Sequence, residues 1–193
     1  MRLFTAVDLP QSMLLKLERL QSALRPEALV KWSPLDNLHI TTKFIGEWPE
    51  ERLDQLTGAL GKIAPQAPFE LELKHLGWFP NEHSPRMLWV GMGKEQPLQA
   101  LAEATDDCLL SLGIEREDRP FTPHLTLARM KNPVPLDRLR KKVHDMQSTE
   151  LGAFPVRRFV LYRSDPGSNF SIYRKLQVYP FESAGAATQH TSA

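Results

Sequence analysis

The sequence predicts an α+β fold: bilobal, with two lobes related by an approximate two-fold axis, each an antiparallel sheet with two helices, and a cleft between them. Three observations carry that expectation. The tripeptide His-x-Thr occurs twice, as His39-Ile40-Thr41 and His124-Leu125-Thr126. Four segments with apolar residues at helical spacing begin near Pro10, Pro49, Pro97 and Pro135. The spacing itself repeats, since Pro10 lies 29 residues before His39 and Pro97 lies 27 before His124, while Pro49 follows His39 by 10 and Pro135 follows His124 by 11. Both histidines therefore hold one slot of a duplicated helix-strand-helix unit.

An extra opening strand, Leu3 to Leu9, precedes the first helix, which carries Met13, Leu17, Leu20 and Leu24 on one side. The next strand runs through Leu38 to Phe44. Side chains alternate along a strand, so His39, Thr41 and Lys43 share a face and Ile40 turns to the core. The second helix follows with Leu53, Leu56, Leu60 and Ile63, and two strands, Phe69 to Phe79 and Arg86 to Gly93, close the first half. In the second half a helix with Leu98, Leu101, Thr105, Cys108 and Leu112 ends at Gly113. The strand Pro123 to Arg129, a helix with Leu136, Leu139, Val143 and Met146, and strands Phe154 to Tyr162 and Phe170 to Tyr179 complete the unit. Each proline is expected in a first turn, where no amide donor is needed. Residues 1–182 read as a single bilobal domain with lobes built mainly from 1–94 and 95–182, strand exchange between them being allowed. Residues 183–193, small and polar and including His190, read as a disordered tail.

The chain of 193 residues carries 24 basic and 23 acidic residues, a net charge of +1, so nothing draws it as a whole to a polyanion. Local basic clusters, Arg157-Arg158 and Arg138 to Lys142, read first as solvated faces, as does Asp106-Asp107. The single cysteine, Cys108, cannot form an internal disulfide, which fits a cytoplasmic protein. No run approaches the roughly 20 apolar residues of a membrane span, and Asp8 comes too early for a secretory leader. A cytoplasmic monomer without membrane or protein partner is expected. No phosphate loop and no Gly-x-Ser-x-Gly elbow occurs, and His75 and His83 lack the acidic or cysteine company of a metal site, so no metal is expected.

Two imidazoles, each beside a hydroxyl, suit acid-base chemistry at a phosphate. Hydrolysing a cyclic phosphodiester requires one group to take a proton from water and an opposed group to deliver one to the departing oxygen, and histidine can serve either way near neutral pH. Thr41 and Thr126 are placed to donate to the nonbridging oxygens.

The run Val30-Lys31-Trp32, the segment Asn37 to Gly46 and the segment Arg119 to Arg129 together resemble the two-histidine phosphoesterase superfamily. The likeness is greatest to its 2′-5′ RNA ligase branch, better described as RNA 2′,3′-cyclic phosphodiesterases, and extends from Met1 to about Phe181. It implies a bilobal fold, no required metal or other cofactor, and hydrolysis of RNA 2′,3′-cyclic phosphate ends to 2′-phosphomonoesters. The O3′ atom then leaves, which on this likeness makes His39 the proton donor and His124 the proton acceptor. The residues alone do not break that symmetry. Thr41, Thr126 and Arg129 are the implied phosphate ligands, although strict alternation turns Arg129 away from His124 unless its strand has ended or bulged. Lys43 is a further phosphate candidate, and Phe44 reads as core. Thr42 departs from the family, which more often has leucine there. RNA ends or small cyclic nucleotides as substrate, the reverse joining reaction, and a non-catalytic binding module all remain open. Trp32, Trp48, Trp78, Phe79, Phe121 and Tyr173 are available for base stacking, but each reads first as core or lobe packing.

Overall fold

Two antiparallel sheets and four helices make up the computed structural model, which describes residues 1–63, 67–131 and 133–182; the expected tail and His190 lie outside the described residues. In chain order the elements are β1 (Arg2–Asp8), α1 (Gln11–Leu24), β2 (Lys31–Trp32), β3 (His39–Glu47), α2 (Leu53–Leu60), β4 (Phe69–Phe79), β5 (Met87–Gly93), α3 (Gln96–Leu110), β6 (Leu125–Arg129), α4 (Asp137–Asp145), β7 (Glu150–Val156), β8 (Arg158–Asp165) and β9 (Ile172–Pro180). Proline punctuates the helix starts, but at varied positions. Pro97 sits in the first turn of α3, Pro10 is the N-cap of α1, Pro49 precedes a 3-10 turn leading into α2, and Pro135 stands just before the N-cap of α4. All four serve because proline lacks an amide donor and pushes the preceding residue out of helical geometry.

One sheet has the order β3-β1-β8-β9 and the other β2-β6-β5-β4-β7. The sheets do not follow the halves 1–94 and 95–182, since each takes strands from both. β1 is no extra strand; its counterpart is β5, so the repeat reads β1-α1-β3-α2-β4 and then β5-α3-β6-α4-β8. In each copy the last strand leaves for the other sheet, β4 to lie beside β5 and β8 beside β1. The helices cross over as well: α1 packs with α4 and beside β7, and α3 packs with α2 and beside β3. The run Phe154 to Tyr162, expected as one strand, is two. Phe154 and Val156 are buried from one sheet, Phe159 to Leu161 from the other, and the chain changes sheets at Arg157. A continuous apolar run carries no mark of such a switch, because both pieces are equally hydrophobic.

The inner faces of α1 (Met13, Leu17, Leu20, Leu24) and α3 (Leu98, Leu101, Leu109) meet Ile40, Leu125 and Leu127 in one continuous core. These are the apolar partners of the two His-x-Thr segments, so core packing on one side of β3 and β6 presents the polar side to the gap. A smaller cluster, Phe4, Ala6, Val160 and Tyr162 with Tyr173 against it, lies apart from that core. No helix among the described residues is long and apolar enough to cross a membrane.

Candidate active site

Strands β3 and β6 approach across the gap between the sheets, with Cα atoms within 8 Å. His39, Thr41 and Phe44 from one side and His124, Thr126 and Arg129 from the other line a single cleft of about 520 Å³. That is ample room for a nucleotide.

A bulge in each strand decides which side chains arrive there. In β3, Ala6 faces Thr41 and Thr5 faces Lys43, so Thr42 is the unpaired extra residue; in β6, Trp89 faces Thr126 and Leu88 faces Ala128, so Leu127 is. Both fall three residues after the histidine. An extra residue reverses the in-out alternation. The fourth residue after each histidine, Lys43 or Ala128, is therefore buried, at 3% and 0% exposure, and the fifth, Phe44 or Arg129, faces the cleft. Arg129 reaches the site by the bulge that strict alternation would have denied it. The expectations for Lys43 and Phe44 are overturned by the same device. Lys43 turns inward, with Nζ 2.7 Å from Asp106 Oδ1 and donating to the Glu115 carbonyl at 2.8 Å, while Phe44 stands 56% exposed in the cleft. Asp106 is accordingly the partner of a buried cation and not part of a solvated face. The bulges are held from below. The Thr42 hydroxyl lies 2.8 Å from that of Thr5, and the Leu127 carbonyl accepts from the Ser33 amide at 2.8 Å and from buried Gln21 Nε2 at 3.3 Å. Threonine at position 42 is thus matched to Thr5, a pairing leucine cannot make.

The imidazoles are held alike. His39 Nδ1 lies 2.7 Å from the Asn37 carbonyl and His124 Nδ1 lies 2.8 Å from the Thr122 carbonyl, each two residues back. A carbonyl partner requires Nδ1–H as donor, which leaves Nε2 of both rings free to exchange a proton. Their surroundings differ. His39 sits among Phe4 (ring centroids 4.8 Å apart), Tyr173 (5.1 Å, edge-on) and Tyr162 (6.2 Å) with its Nδ1 contact part-buried, whereas the His124 contact is exposed and Phe79 stands 6.1 Å away. Burial among these rings pushes the His39 pKa down to about 4, the nearby charges of Arg129 and His124 acting in the same direction and the Asn37 hydrogen bond opposing them. His39 is neutral at pH 7 in the ligand-free protein.

That depression has a consequence for stability. Below pH 6.5 the unfolded chain protonates this histidine while the folded protein resists, so the unfolded state binds more protons and stability falls as pH drops from about 6.5 towards 4. The full penalty is on the order of 3 kcal/mol at about 1.4 kcal/mol per pKa unit. Urea midpoints for the wild type and His39→Gln at pH 7.5 and pH 4 are expected to converge at the acid end. An equal loss in both proteins contradicts it.

Thr126 Oγ1 donates to Met87 Sδ at 3.2 Å, a weak acceptor that a phosphate oxygen readily replaces. Of the aromatic candidates, Tyr173 lines the cleft and Phe79 is exposed beside His124, but Trp48 is buried with its Nε1 donating to the Arg52 carbonyl, and Trp78 and Phe121 pack on the core. Phe4 and Phe170 also line the cleft, and Met87 touches it only as the acceptor of the Thr126 hydroxyl; the sequence does not set them apart, since an apolar residue facing a core and one facing a cleft look the same in it. His75 and His83 line no part of the cleft. Cys108 is half-buried, with Sγ donating to the Ala59 carbonyl at 3.0 Å. The basic clusters are engaged locally: Arg158 pairs with Asp8, Arg138 with Glu27, and Lys141 with Asp145. The polar groups lining the cleft are the two imidazoles, the hydroxyls of Thr41 and Thr126, further neutral side chains, and the cations Arg2, Lys31, Arg129 and Lys131. Among the described residues that set has no carboxylate or thiolate to hold a divalent cation.

A family model described as the 2′-5′ RNA ligase superfamily matches residues 10–168. The chain is 37% identical over 181 residues to a protein of Archaeoglobus fulgidus named RNA 2′,3′-cyclic phosphodiesterase, covering 93% of this chain and 99% of the relative. A Thermus thermophilus protein of the same name is 34% identical over 191 residues, covering 93% and 89%. Among solved structures, TT0787 of Thermus thermophilus superposes with a TM-score of 0.80 at 31% identity over 95% of this chain and 100% of that one. Escherichia coli LigT complexed with 3′-AMP gives a TM-score of 0.73 at 27% identity, over 93% and 97%.

Proposed function

This chain belongs to the 2′-5′ RNA ligase superfamily, and from that premise we propose that it hydrolyses RNA 2′,3′-cyclic phosphate ends to 2′-phosphomonoesters by two-histidine acid-base catalysis without a metal ion. The observation that carries the reading is the pairing, in one cleft, of two imidazoles whose Nε2 atoms are free, each beside a threonine hydroxyl, with Arg129 lining the same space.

Water attacks phosphorus, the P–O3′ bond breaks, and two protons move. His124 Nε2 takes the proton of the attacking water, and His39 Nε2 delivers one to O3′. Thr41, Thr126 and Arg129 donate to the nonbridging oxygens, where charge grows in the transition state. As the donor, His39 must gain its proton along with the anionic phosphate, whose charge offsets the burial that keeps the ring neutral beforehand. The reverse assignment starts with neutral His39 as base.

Two assays test this. End-labelled RNA with a 2′,3′-cyclic phosphate, incubated with chelator, is expected to yield the 2′-phosphate; inactivation by chelator that added metal restores, or a 3′-phosphate product, defeats the proposal. The second assay uses a cyclic end whose O3′ is replaced by sulfur, a leaving group that needs no proton. His39→Ala should regain most of its lost rate on that substrate and His124→Ala should not. Rescue of His124→Ala instead exchanges the two roles.

A further inference from the structure

The cleft does not end at the histidines. Past Lys31, Pro34 and Phe170 it continues into a second groove of about 710 Å³, whose walls add Arg25, Trp32 and Asn169. Lys31 Nζ stands 4.6 Å from the centroid of the Phe170 ring, so these two side chains form a partition shared by both compartments. Asn37, whose carbonyl orients His39, also donates its Nδ2 to the Ser171 carbonyl at 2.8 Å, which fixes the β8–β9 turn carrying Asn169 and Phe170 beside the catalytic strand. The second groove is thus built on the same scaffold as the first. Its charge is continuous with it too. Arg2, Arg129 and Lys131 border the first compartment, Lys31 the partition and Arg25 the second, and among the described residues no acidic side chain lines either one. In a chain of net charge +1, that segregation of sign is local and directional.

A row of cations with aromatic walls is what a single nucleic acid strand requires, one positive group near each phosphate and a flat surface for each base. A cyclic mononucleotide has one phosphate and occupies the first compartment, leaving Arg25 and the second groove with nothing to hold. Resting on the phosphodiesterase reading above, we propose that the groove between Arg25 and Phe170 binds the nucleotide preceding the cyclic end. Its phosphate lies towards Lys31 and Arg25 and its base against the wall of Trp32 and Phe170. The substrate is then an RNA strand of two or more residues, and the free cyclic mononucleotide is a poor one.

The test compares kcat/KM for adenosine 2′,3′-cyclic phosphate and for the adenylyl dinucleotide ending in the same cyclic phosphate. The wild type should prefer the dinucleotide by about tenfold or more, an effect of the size that one charge contact and one stacked base supply. Arg25→Glu, just after α1, and Asn169→Asp, in the β8–β9 turn, should each remove most of that preference while mononucleotide hydrolysis, which uses neither residue, keeps its rate. In binding of the 2′-phosphorylated dinucleotide, Arg25→Gln should lower the slope of log affinity against log salt by about 0.7, the value for one phosphate contact on a single strand. Equal kcat/KM for both substrates overturns the subsite and leaves the phosphodiesterase reading intact. Loss of the preference in Phe79→Ala but not in Arg25→Glu places the strand along the opposite rim and also overturns it. Failure to hydrolyse either substrate removes the reading and the subsite together.

Discussion

His124→Ala is expected to lower kcat/KM for a cyclic-ended oligonucleotide by about 10² to 10⁴, the range for loss of one positioned proton transfer, with no fall in melting temperature. The ring is held through Nδ1 to the Thr122 carbonyl in an exposed contact and stands 6.1 Å from the Phe79 ring, outside the buried core, so its removal opens no cavity there. His39→Ala should lose activity to a similar degree for the same reason, but it also strips the ring packed against Phe4 and Tyr173, and a modest loss of stability accompanies it. The double variant should be little worse than either single one, because two groups that pass protons to one bond-breaking event act as a unit. Steady-state kinetics beside thermal melts distinguish lost chemistry from lost fold. Full activity in either single variant refutes the two-histidine mechanism.

Asp106→Leu is expected to cost about 3 kcal/mol of stability, in line with removal of one partner from a buried ion pair. Lys43 is 3% exposed, and without Asp106 its ammonium keeps the Glu115 carbonyl at 2.8 Å and the more distant Glu117 carboxylate at 3.9 Å. A loss of that size lowers the melting temperature of a domain this large by roughly 6 to 12 °C. Lys43 directly follows the β3 bulge, so the same variant should slow catalysis by displacing Thr41 and Phe44. The double variant Lys43→Met with Asp106→Leu, which removes both charges and fills the space with apolar atoms, should recover most of the stability. A destabilisation below about 1 kcal/mol in the single variant, measured by urea titration, contradicts this account of the pair.

Much of the architecture was legible because it rests on local periodicity. The apolar stripes of α1 and α3 lie where their three-and-four spacing places them, and the strand Phe69–Phe79 has the bounds that its pattern indicates. The two His-x-Thr segments stood out because each motif recurs at one position of a repeat. What escaped was set by partners distant in the chain. The bulges fall at Thr42 and Leu127, neither of which is a glycine or otherwise marked in sequence, so strict alternation exchanged the fates of Lys43 and Phe44 and left Arg129 in doubt. Asp106 looked like surface because its cationic partner lies 63 residues away on another element. The change of sheets at Arg157 was invisible for the same reason: pairing with β4 or with β1 is a property of the partner strands, not of the run itself.

The exchange of terminal strands between the two copies of the repeat bears on how a ligand enters. Because β4 completes the sheet of the second copy and β8 that of the first, with α1 and α3 also lying across the divide, the jaws cannot swing apart as in a clamshell without tearing hydrogen-bonded strands from their neighbours. The width of the mouth is accordingly built in when the chain folds, and a guest must suit a rigid gauge. Neither copy is a self-sufficient piece either: severed from its twin, each would retain one imidazole and a sheet missing its final strand.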